Sequence, residues 1–486
     1  MKYFLTLIQL WVGFLSICAS YPKANIWIIP SVESPQVYRN YAQTSKVHLE
    51  MARGEVEHIQ LVFPSKVNEE YRFTFDRYLK GIQISARELK KMNGYYDALV
   101  PFKNQLKCTD TLTAVWITVQ CPSRVPVGKY HQTIKIEGSK HFTIQLDYNV
   151  HHTTIPLKSS IPITVGVENR CMTECLNDKE ADKERQRWVD FVLSYRMTPV
   201  FGTQITPERW QYEHSFSPWA WNDKRSIRLL NDRRYSCYML PFFTLSENEL
   251  ASLLCNIQKK GKLKESLFYI WDEPAYMEDY EQIKRKVNII RKYASDARIL
   301  TTFFCGPRNG PRKGDLYAVF DYLKHHIHVA TISLAPCKGN EEEVQHIRYK
   351  VPEGIDWWSY VCWQPGGNEP NFLLQMKGIQ QRAIMWRTWK NGSQGFLYWN
   401  CNIYHKRNPF TYITDMPHGD GILIYPGDIL GCKGPIASAR LERWRDGAEE
   451  MELLRLVEKN YSKEKADTLL NIVYSSPLSF IEKAHN

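Results

Sequence analysis

Leu267-Phe268-Tyr269-Ile270-Trp271 is wholly apolar or aromatic and ends on Asp272-Glu273-Pro274, after which Tyr280, Ile283, Val287 and Ile290 recur at helical spacing. An apolar run of that length, stopped by a proline, reads as a strand buried on both faces. The 3.6-residue period behind it reads as a helix that packs one stripe on the sheet. The alternation repeats outward from this unit. Strand-like runs lie at Ile161 to Val167, Thr198 to Phe201, Cys237 to Phe243, Leu267 to Trp271, Ile299 to Cys305, Val329 to Leu334, Trp357 to Cys362 and Phe396 to Trp399. Further stripes are Phe372, Met376, Ile379, Ala383 and Trp386, then Leu441, Trp444, Ala448 and Met451. Eight strand-then-helix units over residues 158–486 are the arithmetic of an α/β fold of the (β/α)8 TIM-barrel type. A doubly wound open sheet is the alternative, and the glycine-rich fingerprint that favours one form of it is absent.

Upstream the period differs. Between residues 21 and 157 short runs (Asn25 to Ile29, Ile59 to Phe63, Tyr71 to Phe75, Ala114 to Val119, His131 to Ile136, Phe142 to Val150) are separated by turn residues such as Asn93-Gly94 and Gly128. Such spacing predicts an all-β sandwich preceding the barrel, as an accessory domain. Residues 1–20 read as a secretory signal peptide: Lys2, an apolar stretch, then Cys18, Ala19 and Ser20. Cys18 as a lipoprotein anchor is a weaker reading, because Ile17 stands where a small residue is expected. No later run is long enough for a transmembrane span, so a secreted, periplasmic or cell-surface location is expected.

Composition narrows the function. The 486 residues carry 43% hydrophobic and 24% charged side chains, which excludes a disordered chain. A net charge of +11 raises nucleic-acid binding, but the basic residues are scattered and no nucleic-acid-binding motif accompanies them, so no nucleic-acid partner is expected. No paired CxxC and no HExxH occurs, and His325, His326 and His328 read as a solvated helix end; neither a metal nor another cofactor is expected. Without Cys18 the cysteines number 11, an odd count. Cys108 with Cys121 is a candidate bridge, and the cysteines in strand-like runs read as buried thiols. The aromatic content of 13%, with 15 Trp and 28 Tyr, suits sugar faces as well as cores.

Barrel catalysis sits at the C-terminal strand ends. Those ends bring Glu168, the pair Asp272-Glu273 with Trp271, the group Trp357, Trp358 and Tyr360, and Tyr398-Trp399-Asn400. Two adjacent carboxyls raise one another's pKa, which keeps one protonated near neutrality. Pro274 restricts Glu273 to extended backbone, and in a regular strand adjacent side chains diverge, so both reach one site only if the strand end twists or kinks. The alternative is that the pair caps the following helix. Trp386, Trp389 and Trp444 read as core, and Asp420 and Arg440 as ties of the last strand-to-helix loop.

The run Phe268 to Pro274 resembles the catalytic strand of glycoside hydrolase family 123, the β-N-acetylgalactosaminidases. A second series resembles the C-terminal half of that family and its uncharacterised relatives: Trp386-Arg387-Thr388-Trp389-Lys390-Asn391-Gly392, Gly395 to Asn400, Gly419 to Gly427 and Ser438 to Gly447. The resemblance implies a retaining, substrate-assisted glycosidase acting on glycans or glycoconjugates with a terminal β-linked N-acetylhexosamine. Glu273 is then the general acid and base, and Asp272 orients the sugar acetamide. Trp271, Trp357, Trp358, Tyr360, Tyr398, Trp399, Asn400 and Glu168 are candidate substrate contacts. Two alternatives remain: a carbohydrate-binding barrel that has lost catalysis, and a two-carboxylate glycosidase with a separate nucleophile such as Glu168.

Overall fold

The computed structural model describes residues 26–76, 81–206, 211–412 and 418–481. The expected signal peptide, with Cys18, lies outside the described residues.

All eight expected runs of the second region form parallel strands: β1 (Ile163–Glu168), β2 (Thr198–Thr206), β3 (Tyr238–Met239), β4 (Ser266–Trp271), β5 (Arg298–Phe303), β6 (Val329–Ser333), β7 (Asp356–Val361) and β8 (Phe396–Tyr398). Their pairing order is 2-1-8-7-6-5-4-3, so chain neighbours are spatial neighbours and β1 lies beside β8. The sheet is interrupted between β2 and β3. There a ninth strand, Gln211–Ser215, runs antiparallel to β2, and Phe216 N beyond it donates to Met239 O of β3 at 2.7 Å. The result is a nearly closed, barrel-like sheet in a mixed α/β fold.

Successive residues on each strand go to opposite sides. Leu267, Tyr269, Leu300, Val329, Trp358, Tyr360 and Leu397 form one buried cluster inside the barrel. Phe268, Ile270, Ile299, Trp357, Phe396 and Tyr398 belong to another, which includes the stripe Tyr280, Ile283, Val287 and Ile290 of helix Met277–Arg291. Both strand faces are dry, which is why the strands read as unbroken apolar runs.

Three local expectations are corrected. The run Cys237 to Phe243 contributes only Tyr238–Met239 as strand, because Glu213 of the inserted strand takes up the following backbone, accepting from Phe242 N at 2.8 Å and Thr244 N at 2.7 Å. Phe372 and Met376 precede their helix. The helical residues are Gly378–Arg382 and Ile384–Lys390, while Asn371 holds the preceding loop through the carbonyls of Cys362 and Pro365. Cys108 and Cys121 are free, buried thiols, as are most of the other described cysteines.

The first region forms two five-stranded sheets. One orders Trp27–Pro30, Val56–Pro64, Leu112–Gln120, Gln83–Met92 and Tyr95–Pro101; the other orders Lys46–Arg53, His141–Thr154, Gly128–Glu137, Glu70–Phe75 and Gln105–Lys107. They share a core that includes Leu61, Val115 and Ile117 from the first sheet and Phe73, Ile136 and Leu146 from the second. Asn93 and Gly94, at φ 48° and 83°, make the two-residue turn that their sequence announces.

Helix Ala439–Asn460 joins the two regions. Its apolar stripe Leu441, Trp444, Ala448 and Met451 is buried as expected, but so are its charged residues, because the first sheet covers the opposite side. Several are paired: Arg440 with Asp97 at 2.9 Å and Glu442 with Arg87 at 2.6 Å and with His58 at 3.2 Å, all from the first sheet, and Glu449 with Arg196 of the second region at 3.1 Å. Burying such charges without partners would cost several kcal/mol each. No helix among the described residues is long and apolar enough to cross a membrane.

Candidate active site

At the end of β4 the regular alternation breaks. Tyr269 pairs with Leu300 and Trp271 with Thr301, so β4 carries one extra residue as a bulge. Ile270 and Trp271 therefore both fall in the cluster outside the barrel. Asp272 is turned inward instead, where it lines a cavity with Thr164, Gly202, Tyr212, His214, Tyr269, Trp399 and Asn400. Glu273 follows at φ 42°, in the left-handed region that a non-glycine residue seldom adopts. The extended backbone expected from Pro274 is thus not what forms. The bulge and the left-handed residue together supply the kink that lets adjacent carboxyls share one mouth.

Two neighbours hold this geometry. Thr302 Oγ1, near the end of β5, donates to Asp272 Oδ1 at 2.8 Å and accepts from Glu273 N at 2.9 Å. Tyr269 OH donates to the same Asp272 Oδ1 at 2.6 Å. Both side-chain bonds land on Oδ1, so Oδ2 is unengaged among the described residues. The helix-cap alternative fails: helix Met277–Arg291 is capped by Asp279, whose Oδ2 accepts from Ala275 N and Tyr276 N at 2.9 Å each.

Tyr360 OH donates to Glu273 Oε1. Glu273 is exposed as a residue, and Tyr360 is the side chain bonded to its carboxyl among the described residues. Burial first, and the Asp272 carboxyl second, push its pKa up to about 7, against the Tyr360 bond, which lowers it. A carboxyl titrating near 7 is suited to giving and taking a proton at neutral pH.

The remaining candidates divide by side. Tyr360 and Trp399 face inward, and Trp399 Nε1 donates to Asp420 Oδ1 at 3.0 Å, which fixes its ring. Asn400 lines the cavity, with Oδ1 accepting from Asn402 N at 3.0 Å. Glu168 is buried; Asn402 clamps its backbone on both sides, Oε1 accepts from Arg170 N at 3.3 Å, and Oε2 has no partner among the described residues. Burial pushes its pKa up to about 7. Trp358 is inward but deeper, packed so closely on Gly395 that a Cβ there would lie 2.2 Å from its ring, and it fills the barrel. Trp271, Trp357 and Tyr398 pack in the cluster on the helix side; of the three, only Tyr398 also borders the cavity. Tyr398 OH donates to Asp420 Oδ1 at 3.2 Å and accepts from Gly421 N at 3.0 Å.

Sequence reading missed four residues of the site. Tyr269 and Thr302 each lie midway along an expected strand, so strand membership was the only signal they carried. Tyr212 and His214 carried none, because Gln211–Ser215 is polar and its place in the sheet gap is a tertiary fact. The His214 ring stacks on Tyr269 at 4.2 Å and 9°, and burial drives its pKa down to about 3, so it is a neutral wall.

The sequence matches the family model described as glycoside hydrolase 123, catalytic domain, over residues 183–457. Among solved structures, a family 123 glycoside hydrolase from Clostridium perfringens, studied for glycolipid glycan hydrolysis, aligns with a TM-score of 0.65 and 14% identity over 92% of this chain and 91% of that one. At that identity the likeness is one of fold. A GH2 β-galacturonidase from Eisenbergiella tayi (TM-score 0.34, 9% identity, 82% and 89% covered) and a β-D-glucuronidase from Dictyoglomus thermophilum (0.33, 9%, 89% and 75%) are too distant to carry an argument. No curated protein sequence matches.

Proposed function

The chain belongs to glycoside hydrolase family 123, and on that premise we propose that it is a secreted, retaining β-N-acetylgalactosaminidase that uses substrate-assisted catalysis. In this reading residues 1–20 are its signal peptide, residues 21–157 a β-sandwich, and residues 158–486 a (β/α)8 barrel with the site at the C-terminal strand ends. The observation that carries it is the arrangement of Asp272 and Glu273: adjacent in sequence, held at one mouth, with different hydrogen-bond partners and one carboxyl raised to about 7.

The Glu273 carboxyl gives its proton to the glycosidic oxygen while the sugar's 2-acetamido oxygen attacks C1 and the C1–O bond breaks. Asp272 accepts the acetamide N–H and stabilises the positive charge of the oxazolinium intermediate. Glu273, now a base, takes a proton from water as that water attacks C1 and the bond from C1 to the acetamide oxygen breaks, which restores the acetamide and retains the configuration. Tyr360, Trp399, Asn400 and Glu168 are the retained substrate contacts. The preference for the galacto epimer is taken from the family.

Paired aryl β-N-acetylgalactosaminide, β-N-acetylglucosaminide and β-galactoside substrates test the reading, together with an acetamide-derived thiazoline inhibitor. Turnover of an N-acetylhexosaminide, none of the galactoside, and inhibition by the thiazoline are expected. Hydrolysis of the plain galactoside with no thiazoline inhibition would sink the neighbouring-group step and favour a separate nucleophile.

A further inference from the structure

Outside the candidate active site, an opening lies between the first sheet and the loop after β7. It is a cleft of about 430 Å³, with Tyr95 and Gln36 on the sheet side, Leu374 and Gln375 on the barrel side, and Arg443 among its lining. We propose that this cleft is a second carbohydrate subsite, which holds a distal sugar residue of the glycan whose terminal residue occupies the active site. The proposal rests on the glycosidase reading above.

Its position supports this. Leu374 N donates to His418 O at 3.2 Å, and two residues on, Asp420 accepts from Trp399 Nε1 at the active-site wall. On the other lip, the Asn93-Gly94 turn is pinned to the same barrel loop by Asn93 Nδ2 and His418 Nδ1, 3.0 Å apart. The loop after β7, which lines the cleft, is thus hydrogen-bonded to the loop after β8, which carries Trp399 and Asn400 at the active site, and the cleft's far wall belongs to the first region of the chain.

Its chemistry is that of a sugar site. Tyr95, next to the turn, is 44% exposed, and its hydroxyl makes no hydrogen bond among the described residues, so its ring and hydroxyl are both open to a ligand in the cleft. Gln36 and Gln375 are exposed amides on opposite lips. Arg443 is 6% exposed and anchored by Nε to Ser31 O at 2.9 Å and by Nη1 to Gln381 Oε1 at 2.8 Å, while Nη2 has no partner among the described residues. A buried guanidinium held at two nitrogens and free at the third is a pre-placed donor, and an aromatic face with a few convergent polar groups is the usual make-up of a small-ligand site. Occupancy of both subsites by one glycan raises affinity through effective concentration, without altering the chemistry at C1.

The test compares wild type, Tyr95→Ala and Gln375→Ala on an aryl β-N-acetylgalactosaminide and on a tetrasaccharide with terminal β-linked N-acetylgalactosamine. For each variant KM for the tetrasaccharide should rise about fivefold to tenfold, the scale of one lost aromatic or polar contact, while the aryl substrate stays within about twofold. Equal losses on both substrates, or none on either, would overturn the subsite. If wild type cleaves neither compound, the glycosidase reading itself fails. Calorimetric titration of the tetrasaccharide into wild type and Tyr95→Ala then decides the subsite: a weaker Kd in the variant supports it, and an unchanged or absent Kd refutes it.

Discussion

Thr302 Oγ1 stands 2.8 Å from Asp272 Oδ1, donating to it from the neighbouring strand, and the same oxygen receives the backbone N–H of Glu273. One hydroxyl thus fixes the orientation of one carboxyl and the left-handed backbone of the next.

Thr302→Val keeps the shape and deletes both bonds, together with a third that Thr302 Oγ1 accepts from Tyr269 OH at 3.1 Å. Misplacing reacting groups by about 1 Å costs on the order of 10²-fold, so kcat should fall about tenfold to a hundredfold with KM nearly unchanged, and Thr302→Ser should recover most of it. Steady-state kinetics on an aryl β-N-acetylhexosaminide decides; a change confined to KM would count against this role.

Glu273→Gln should lower turnover by about 10²- to 10⁴-fold, the range of general acid–base catalysis, while circular dichroism and melting stay native. As the acid, Glu273 must be protonated at the start of the cycle, so kcat/KM should decline as pH rises through about 7. The Tyr360 bond lowers that pKa, so Tyr360→Phe should move the alkaline limb upward; a downward move would contradict the assignment.

Gly166 lets β1 and β8 approach. A Cβ at this position would lie 1.8 Å from Trp399 O, and Gly166 O accepts from Cys401 N at 2.9 Å. Gly166→Ala must separate these backbones, so insoluble expression or a large fall in Tm is expected, whereas Gly261→Ala, with open space around it though at φ 65°, should be far milder. Parallel melts of the two variants check this.

Asp97→Ala leaves the Arg440 guanidinium buried without its carboxylate. Breaking one side of a buried ion pair costs about 3–5 kcal/mol, and denaturant titration should show a loss of that order. The double variant Asp97→Ala with Arg440→Met should be less destabilised than the sum of the single variants.

Asn391-Gly392-Ser393 is an N-x-S glycosylation sequon, and its burial bears on processing. Asn391 and Ser393 are both fully buried, so a host that glycosylates should leave Asn391 unmodified in the folded protein, as mass spectrometry of its peptide would show.

Much of this architecture was legible in the sequence, because its signals are local. The eight strand runs, the stripe Tyr280 to Ile290, the Asn93-Gly94 turn and the Asp272-Glu273 pair depend on residue type and near spacing. Which way a strand residue faces does not. Parallel strands with two dry faces carry apolar residues on both, so nothing in the run Trp357-Trp358 or Tyr398-Trp399 separates the ring that enters the barrel from the one that meets a helix. At β4 even strict alternation misleads, since the extra residue between Tyr269 and Trp271 sends Trp271 outward and Asp272 inward. The sequence by itself determined that two carboxyls end a buried strand. Only tertiary pairing, through a bulge, a threonine from β5, a tyrosine from β7 and a polar strand inserted where the sheet would otherwise open, decided that Asp272 lines a cavity while Glu273 beside it meets Tyr360, because those contacts join residues that no short-range pattern links.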